Sequence, residues 1–348
     1  MTDGRAGVTE WRAVADLHHA YFTGLIISVV TRRSVGEAAE LVFRVFRRQH
    51  LERFLPGLAK LGLSALPPAV AAAQYHYLSN WIGGVHVEYM PENDRKAWIR
   101  YPPPRWIWSG TAICAIPTEV SRAMLRGWHA HNGVSLGNPR LGFVCTKQAV
   151  DGQDGLEGFY CEYDRDLAPD ERLVFARHLE APDFDPARAP VLPADTWPVE
   201  RLARAHRDYA MEYVRTALPI MIGLFGPDEG GHLLRITGRL IGMQYGAQTA
   251  AALGAASHGG AAGFADLLRR FFRAAGDEIV ERSETTVEQA QWRLMRDVAD
   301  FHPACRLALS GLIEGMLAAH GRHMTLGVSA DDGATAGRAV WEVQSPRR

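Results

Sequence analysis

Cysteine is scarce. Cys114, Cys145, Cys161 and Cys305 are the only four in 348 residues. None stands in a CxxC pair, and their spacings match no zinc signature. So few thiols in so long a chain argue against a disulfide framework and fit reduced thiols in a cytoplasm. An excess of either charge is also missing. Lys and Arg number 38 against 39 Asp and Glu, for a net charge of -1. Gripping nucleic acid through its phosphates calls for a basic excess. The one local cluster, Arg44, Arg47 and Arg48, reads as the wet face of a helix. Long apolar runs are lacking too. The longest, Phe22 to Val30, is interrupted by Thr23, Gly24 and Ser28. It falls short of the ~20 residues that span a bilayer. No signal-peptide core follows the first residues. There is no Gly-x-Ser-x-Gly elbow, no P-loop and no GxGxxG. The expectation is a soluble, cytoplasmic protein with neither a nucleic-acid nor a membrane partner.

Apolar residues are plentiful, at 47% of the chain, enough to pack cores. At roughly 100–200 residues per domain the length predicts about two domains. Helical spacing predicts a first helix over 11–31. Ser34 and Glu37 form a capping box before a second helix, with Ala38, Leu41, Val42, Val45 and Phe46 on its apolar face. A third helix is expected over 69–80. The period then changes to two. Val85, Val87 and Tyr89 alternate with His86 and Glu88, which predicts a strand, and a second strand is expected at 96–101. A Pro- and Trp-rich loop follows over 101–117. Thr118 is expected to cap a helix that runs to about His131, where Asn132-Gly133 would supply a left-handed stop. Strands at 141–147 and 157–164 complete this half.

The second half repeats the order. His206 and Tyr209 are spaced as His18 and Tyr21 are. The segment around Trp292 answers that around Trp98, and Gly315 and Gly321 answer Gly127 and Gly133. Leu326-Gly327-Val328 answers Leu141-Gly142-Phe143, and Glu342 stands over Glu162. A shared order of this kind is the signature of an internal duplication. The predicted fold class is α+β: two tandem, diverged copies of a helices-plus-antiparallel-sheet module that binds small molecules. The first module covers 1–180 and bears the site. Residues 181–198 form a linker punctuated by Pro182, Pro186, Pro190, Pro193 and Pro198. The second module, 199–348, supports the first or makes subunit contacts. Five of the nine Trp lie between residues 81 and 128, which favours the first copy as the ligand-bearing one.

Strand pairs around a Gly-ended helix, closed by L-G-V and G-x-x-x-W-E-V, resemble the 4-vinyl reductase domain and the L-2-amino-thiazoline-4-carboxylate hydrolase family. The residues that carry the resemblance are Leu312 to Gly315, Leu326 to Val328 and Gly337 to Val343. The resemblance covers 199–344 and, more loosely, 11–165. It implies an α+β small-molecule-binding fold with its pocket between helices and sheet.

Several residues could carry chemistry. His129 and His131, within Trp-His-Ala-His-Asn-Gly, could act as acid–base groups or hold a divalent metal. Residues two apart do not share a helix face, so both reach one site only if the helix frays. His76, Glu88 and Glu119 are the candidates for a third metal ligand. Glu88 and Asp94, on or beside the first strand pair, could serve as general acid or base. Arg105 follows three prolines and precedes Trp106, a setting suited to gripping a carboxylate; Arg100 could assist. Tyr75, Tyr77, Trp81, Trp106 and Trp108 could line a pocket for a flat ring, and Asn132 could bind substrate. Cys145, in an apolar strand, is a candidate nucleophile only if a neighbour lowers its pKa. Gly242, Gly246, Ala250 and Gly254 recur every four residues on one helix, which reads as close helix packing across a two-fold axis and implies a homo-oligomer.

The leading functional expectation is a hydrolase or lyase acting on a compact, carboxylate-bearing heterocycle or amide. Arg105 would anchor the substrate, and the histidines and carboxylates would act on it. The alternative is a non-catalytic small-molecule-binding or sensor protein of vinyl-reductase-domain type. A third class is an accessory subunit that docks through the Gly242–Gly254 helix.

Overall fold

A computed structural model describes residues 7–103, 116–256, 258–321, 323–333 and 335–345. The chain is α+β, with two sheets and eight α-helices among the described residues. It divides into two compact units: Val29–Trp197, and a second unit formed by Met1–Ser28 together with Pro198–Arg348. The first 28 residues therefore cluster with the C-terminal half, whereas a split at 181–198 would give them to the N-terminal module. The boundary falls inside helix α1 (Val8–Arg32).

The Val29–Trp197 unit opens with α2 (Val35–Lys60). Its start is the expected capping box: the Glu37 N–H donates to Ser34 Oγ at 3.1 Å, and the Ser34 hydroxyl donates to the Glu37 carboxylate at 2.8 Å. Helix α3 (Pro68–Ile82) follows, with Pro at its first position, where no N–H is needed. The sheet is built from β1 (Glu88–Asn93), β2 (Lys96–Tyr101), β3 (Leu141–Lys147), β4 (Leu156–Glu162) and β5 (Leu173–Phe175). Its order is β1-β2-β4-β3-β5, antiparallel except for β3 against β5. Strand β5 had no counterpart in the sequence reading.

Two boundaries differ from expectation for local reasons. The alternating segment begins to pair only at Glu88, because the Val85 N–H is used to close α3 on the Asn80 carbonyl. The helix predicted over 118–131 is three pieces. Helix α4 (Thr118–Gly127) gives way to a 3-10 turn at His129–His131, and a short α5 (Asn132–Ser135) follows. Asn132 is right-handed at φ -60, and the left-handed stop is Gly137 at φ 68. Gly133 serves close approach instead: a Cβ there would fall 2.8 Å from the Asn138 carbonyl oxygen. Gly127 does the same for α4 on α2, where a Cβ would meet the Phe43 carbonyl oxygen at 2.7 Å.

The other unit contains α6 (Val199–Ala252), kinked at Gly226 (φ 78) with Pro227 restarting the helix. It continues with α7 (Gly260–Ala275), β6 (Ile279–Glu281), β7 (Thr286–Gln289), α8 (Arg306–His320), β8 (Thr325–Ala330) and β9 (Ala339–Gln344). The sheet order is β6-β7-β9-β8. Trp98 lies within β2, whereas Trp292 follows β7 outside the sheet, so these two tryptophans are not structural equivalents.

Glycines allow α6 and α8 to touch backbone to backbone. A Cβ at Gly238 or Gly242 would strike the Ala308 or Leu312 carbonyl, and one at Gly311 or Gly315 would strike the Arg235 or Arg239 carbonyl. The small-residue face of α6 is thus filled within the chain, and the ground for reading it as a subunit contact is gone. Gly254 ends the helix at φ 65 rather than continuing the stripe. Helix α1 also lies on α6. Phe22 stacks on Tyr213 at 4.9 Å, and Tyr21 donates to the Leu234 carbonyl at 3.0 Å. By length and hydropathy α1 as a whole could cross a membrane, contrary to the reading of Phe22–Val30 alone. Yet 61% of its most apolar window is buried inside the protein, as in a core helix.

Candidate functional site

Helix α2 carries an apolar stripe through Val42, Val45 and Phe46, and the same face continues into Gln49 and His50, both buried. Helix α3 carries His76 and Asn80 on a buried face otherwise made of alanines, Tyr75 and Leu78. The 3-10 turn contributes His129, α5 contributes Asn132, and β4 contributes Tyr160. These side chains meet. Asn132 is 0% exposed and makes three hydrogen bonds. They reach His50 Nε2 at 3.1 Å, His76 Nε2 at 3.1 Å and the Tyr160 hydroxyl at 2.8 Å. Tyr160 reaches His129 Nδ1 at 2.7 Å, and His76 Nδ1 reaches the Tyr101 hydroxyl at 3.2 Å. His76 and His129 stack with ring centroids 4.2 Å apart.

The direction of every bond follows from one residue. Arg47 Nη1 lies 2.9 Å from His50 Nδ1. A guanidinium only donates, so His50 Nδ1 accepts and its proton sits on Nε2. That proton is given to Asn132 Oδ1. The amide nitrogen then donates to both His76 Nε2 and the Tyr160 oxygen. His76 must carry its proton on Nδ1, facing Tyr101. The Tyr160 hydroxyl, having accepted, donates to His129 Nδ1, which leaves the His129 proton on Nε2. Every tautomer is assigned by this logic rather than seen.

Electrostatics keep His50 and Tyr160 neutral. Burial first, then the Arg47 cation and His131, bring the His50 pKa down to about 3. Burial holds the Tyr160 phenol well above its usual range.

The expected residues fall in different places. His129 and Asn132 belong to the array. His131 does not: it is half-buried, its Nδ1 donates to the Arg126 carbonyl at 2.9 Å, and burial and Arg47 lower its pKa. The two histidines therefore do not converge. Glu88 and Arg100 are cross-strand partners joined at 2.6 Å, so neither is free for a substrate. Asp94 is exposed in the β1–β2 turn. Glu119 is exposed on α4. Cys145 is buried, and desolvation pushes its thiol up to about 12, the reverse of what a nucleophile needs. Tyr75 packs in the core with Phe54 and Leu78, and Tyr77 lies beside Tyr89. Trp81 is 48% exposed. Arg105, Trp106 and Trp108 lie outside the described residues. Among the described residues no three His, Cys, Asp or Glu side chains are grouped to hold a metal, and the donors predicted for one are divided among other partners.

His50, Tyr101, Tyr160 and Arg47 are the members that sequence reading missed. Arg44 and Arg48 do lie on the wet face, paired with Glu40 and Glu52, but Arg47 turns to His50. A signal was present: His50 continues the apolar stripe of α2, where a polar residue needs a partner. The other unit has a separate concavity of about 320 Å³ between α1 and the end of α6, with Arg12, Asp16, Tyr245 and Gln248 on its walls. No family model, no curated protein and no solved structure matches this chain.

Proposed function

We propose that the Val29–Trp197 unit is a small-molecule-binding module rather than a catalytic one. One observation carries this reading: the lone pair of His129 Nδ1 is taken by Tyr160. A general base must offer a lone pair to its substrate. With that lone pair taken, His129 is not placed to act as a base at Nδ1, which favours binding over catalysis. The carboxylates expected to assist catalysis are paired or in a turn, and the buried thiol is inert. Arg105 retains its proposed role as a carboxylate anchor, and the resemblance to the vinyl-reductase type agrees with a binding module.

Native mass spectrometry of the gently purified protein tests this. The expected result is a small organic adduct that is lost in His129→Phe while circular dichroism is unchanged. No adduct on the unaltered protein, or one retained by both His129→Phe and Asn132→Leu, would overturn the reading.

A hydrolase or lyase is the second reading, favoured by the 2.7 Å contact of Tyr160 with His129. His129 would donate from Nε2 while taking the Tyr160 proton at Nδ1. That leaves a buried tyrosinate, which burial makes costly. Turnover of a 2-amino-thiazoline-4-carboxylate that disappears in Tyr160→Phe would establish it.

We also infer that the two units descend from one duplicated module. In both sheets the first hairpin is followed by the last and then the penultimate strand of the repeat, β1-β2-β4-β3 against β6-β7-β9-β8. In both, a helix between the two hairpins, α4 or α8, lies on an earlier helix, α2 or α6, through glycine contacts. On this reading the second copy is the supporting one.

A further inference from the structure

The concavity beside α1 has walls that follow from helical spacing. Thr9, Arg12, Ala13, Asp16 and Leu17 recur at intervals of three and four, so they share one face of α1. Tyr245, Gln248, Thr249 and Ala252 recur in the same way on α6. The two faces enclose about 320 Å³, within the range of small-molecule sites. All of these residues belong to one unit, that of Met1–Ser28 and Pro198–Arg348. Ala13, Leu17 and Thr249 are buried and form the floor. Arg12, Asp16 and Gln248 are exposed at the rim, and Tyr245 is half-buried.

The rim carries one charge of each sign. Arg12 and Asp16 stand four apart on α1. At that spacing Arg33 pairs with Glu37 at 2.9 Å, and Arg48 with Glu52 at 3.0 Å. Arg12 and Asp16 are not closed in this way. Among the described residues neither makes a hydrogen bond or an ion pair, and they act on each other only at longer range. Asp16 reaches solvent across the concavity, yet its surroundings strip part of its water. Desolvation is the largest influence on its carboxyl and raises its pKa, against the pull of His206 and Arg12. A carboxylate that has lost water and gained no direct partner favours an entering cation.

We propose that this concavity binds a compact zwitterion, a molecule bearing both a carboxylate and an ammonium group, of which an amino acid is the simplest class. The ligand's carboxylate would meet the Arg12 guanidinium, and its ammonium would meet Asp16. A simple anion would leave Asp16 without a partner, and a simple cation would leave Arg12 without one. A neutral ligand would cover both charges and satisfy neither. On the facing wall, Gln248 and Tyr245 offer an amide and a hydroxyl to the rest of the ligand. The site belongs to the unit that carries no part of the His50–His129 array, so it stands or falls independently of that array.

The test is thermal melting of the full chain near neutral pH, titrated with the common L-α-amino acids, β-alanine and γ-aminobutyrate at constant ionic strength. A ligand that binds the folded state raises the melting temperature in a saturable way. The expected result is a saturable rise with at least one of these compounds. A rise with α-amino acids would identify closely spaced charges in the ligand, and a rise with γ-aminobutyrate alone a longer zwitterion. The N-acetyl and amide derivatives of the compound that binds, each lacking one charge, should give no such rise, nor should acetate or methylammonium. Arg12→Gln and Asp16→Asn each remove one charge at an exposed position, and they control for the general stabilising effect of concentrated amino acids. Each should raise the apparent Kd at least about tenfold. The absence of a saturable rise with every compound would overturn the proposal. So would equal binding of the derivatives that lack one charge, an arm that needs only the unaltered protein, or full affinity in either variant.

Discussion

Asn132 is the residue on which the buried array turns. It accepts from one imidazole and donates to another and to a phenol. Asn132→Leu keeps most of the volume and leaves the Nε2 proton of His50 and the acceptor of His76 without partners. Each orphaned buried group costs ~1–3 kcal/mol, so urea unfolding should show a loss of roughly 2–5 kcal/mol. His50 supplies a pH prediction. Its pKa falls from 6.5 to about 3 on folding, so below 6.5 the unfolded chain binds more protons than the folded one. Its contribution to stability is complete above about pH 6.5 and is lost as pH falls toward 3, at up to ~1.4 kcal/mol per pH unit. His50→Phe should flatten that part of a pH–stability curve measured by denaturant titration. Arg47 sets the direction of the whole array because it is the one member that can only donate.

At the scale of elements, close helix contact is the feature most exposed to mutation. Gly242 has no room for a Cβ beside the Leu312 carbonyl. Gly242→Leu should force α6 from α8 and cost ~1–3 kcal/mol or more by calorimetry. A bulky residue at Gly223, where nothing lies within 4 Å, should cost much less. Elements whose signals are local were legible in the sequence. The Ser34–Glu37 capping box, β2 at Lys96–Tyr101 and β3 at Leu141–Lys147 stand where the local pattern predicts. Elements decided by distant partners were not. Asn-Gly at 132–133 has the composition of a left-handed stop, but the amide of Asn132 is held by residues of α2, α3 and β4, and Gly133 is needed for close approach. His129 and His131 looked like a pair in sequence, and the 3-10 turn sends them to different partners. The glycine stripe of α6 was correctly read as a close-packing face. Its partner, α8, lies far along the same chain and leaves no mark on the local pattern.

At the scale of the whole molecule, α1 ties the two ends of the chain together. Leu17, Phe22, Leu25 and Ile26 are almost wholly buried. At ~1.5–3 kcal/mol for each buried side chain, their removal rivals the ~5–15 kcal/mol that holds an ordinary domain. A chain lacking residues 1–28 should therefore lose the cooperative melting of the split unit, and hydrogen exchange across α6 should become fast. The arrangement also has a consequence in time. Synthesis proceeds from the N-terminus, so α1 emerges before α6, its partner, and must wait for it. At ~5–20 residues per second, the intervening Val29–Trp197 segment takes on the order of ten to thirty seconds to appear. Throughout that interval an apolar helix stands in the nascent chain with its packing surface not yet made. A helix made before its partner is thus late to find its place, and its waiting apolar face is one that a chaperone would cover during translation.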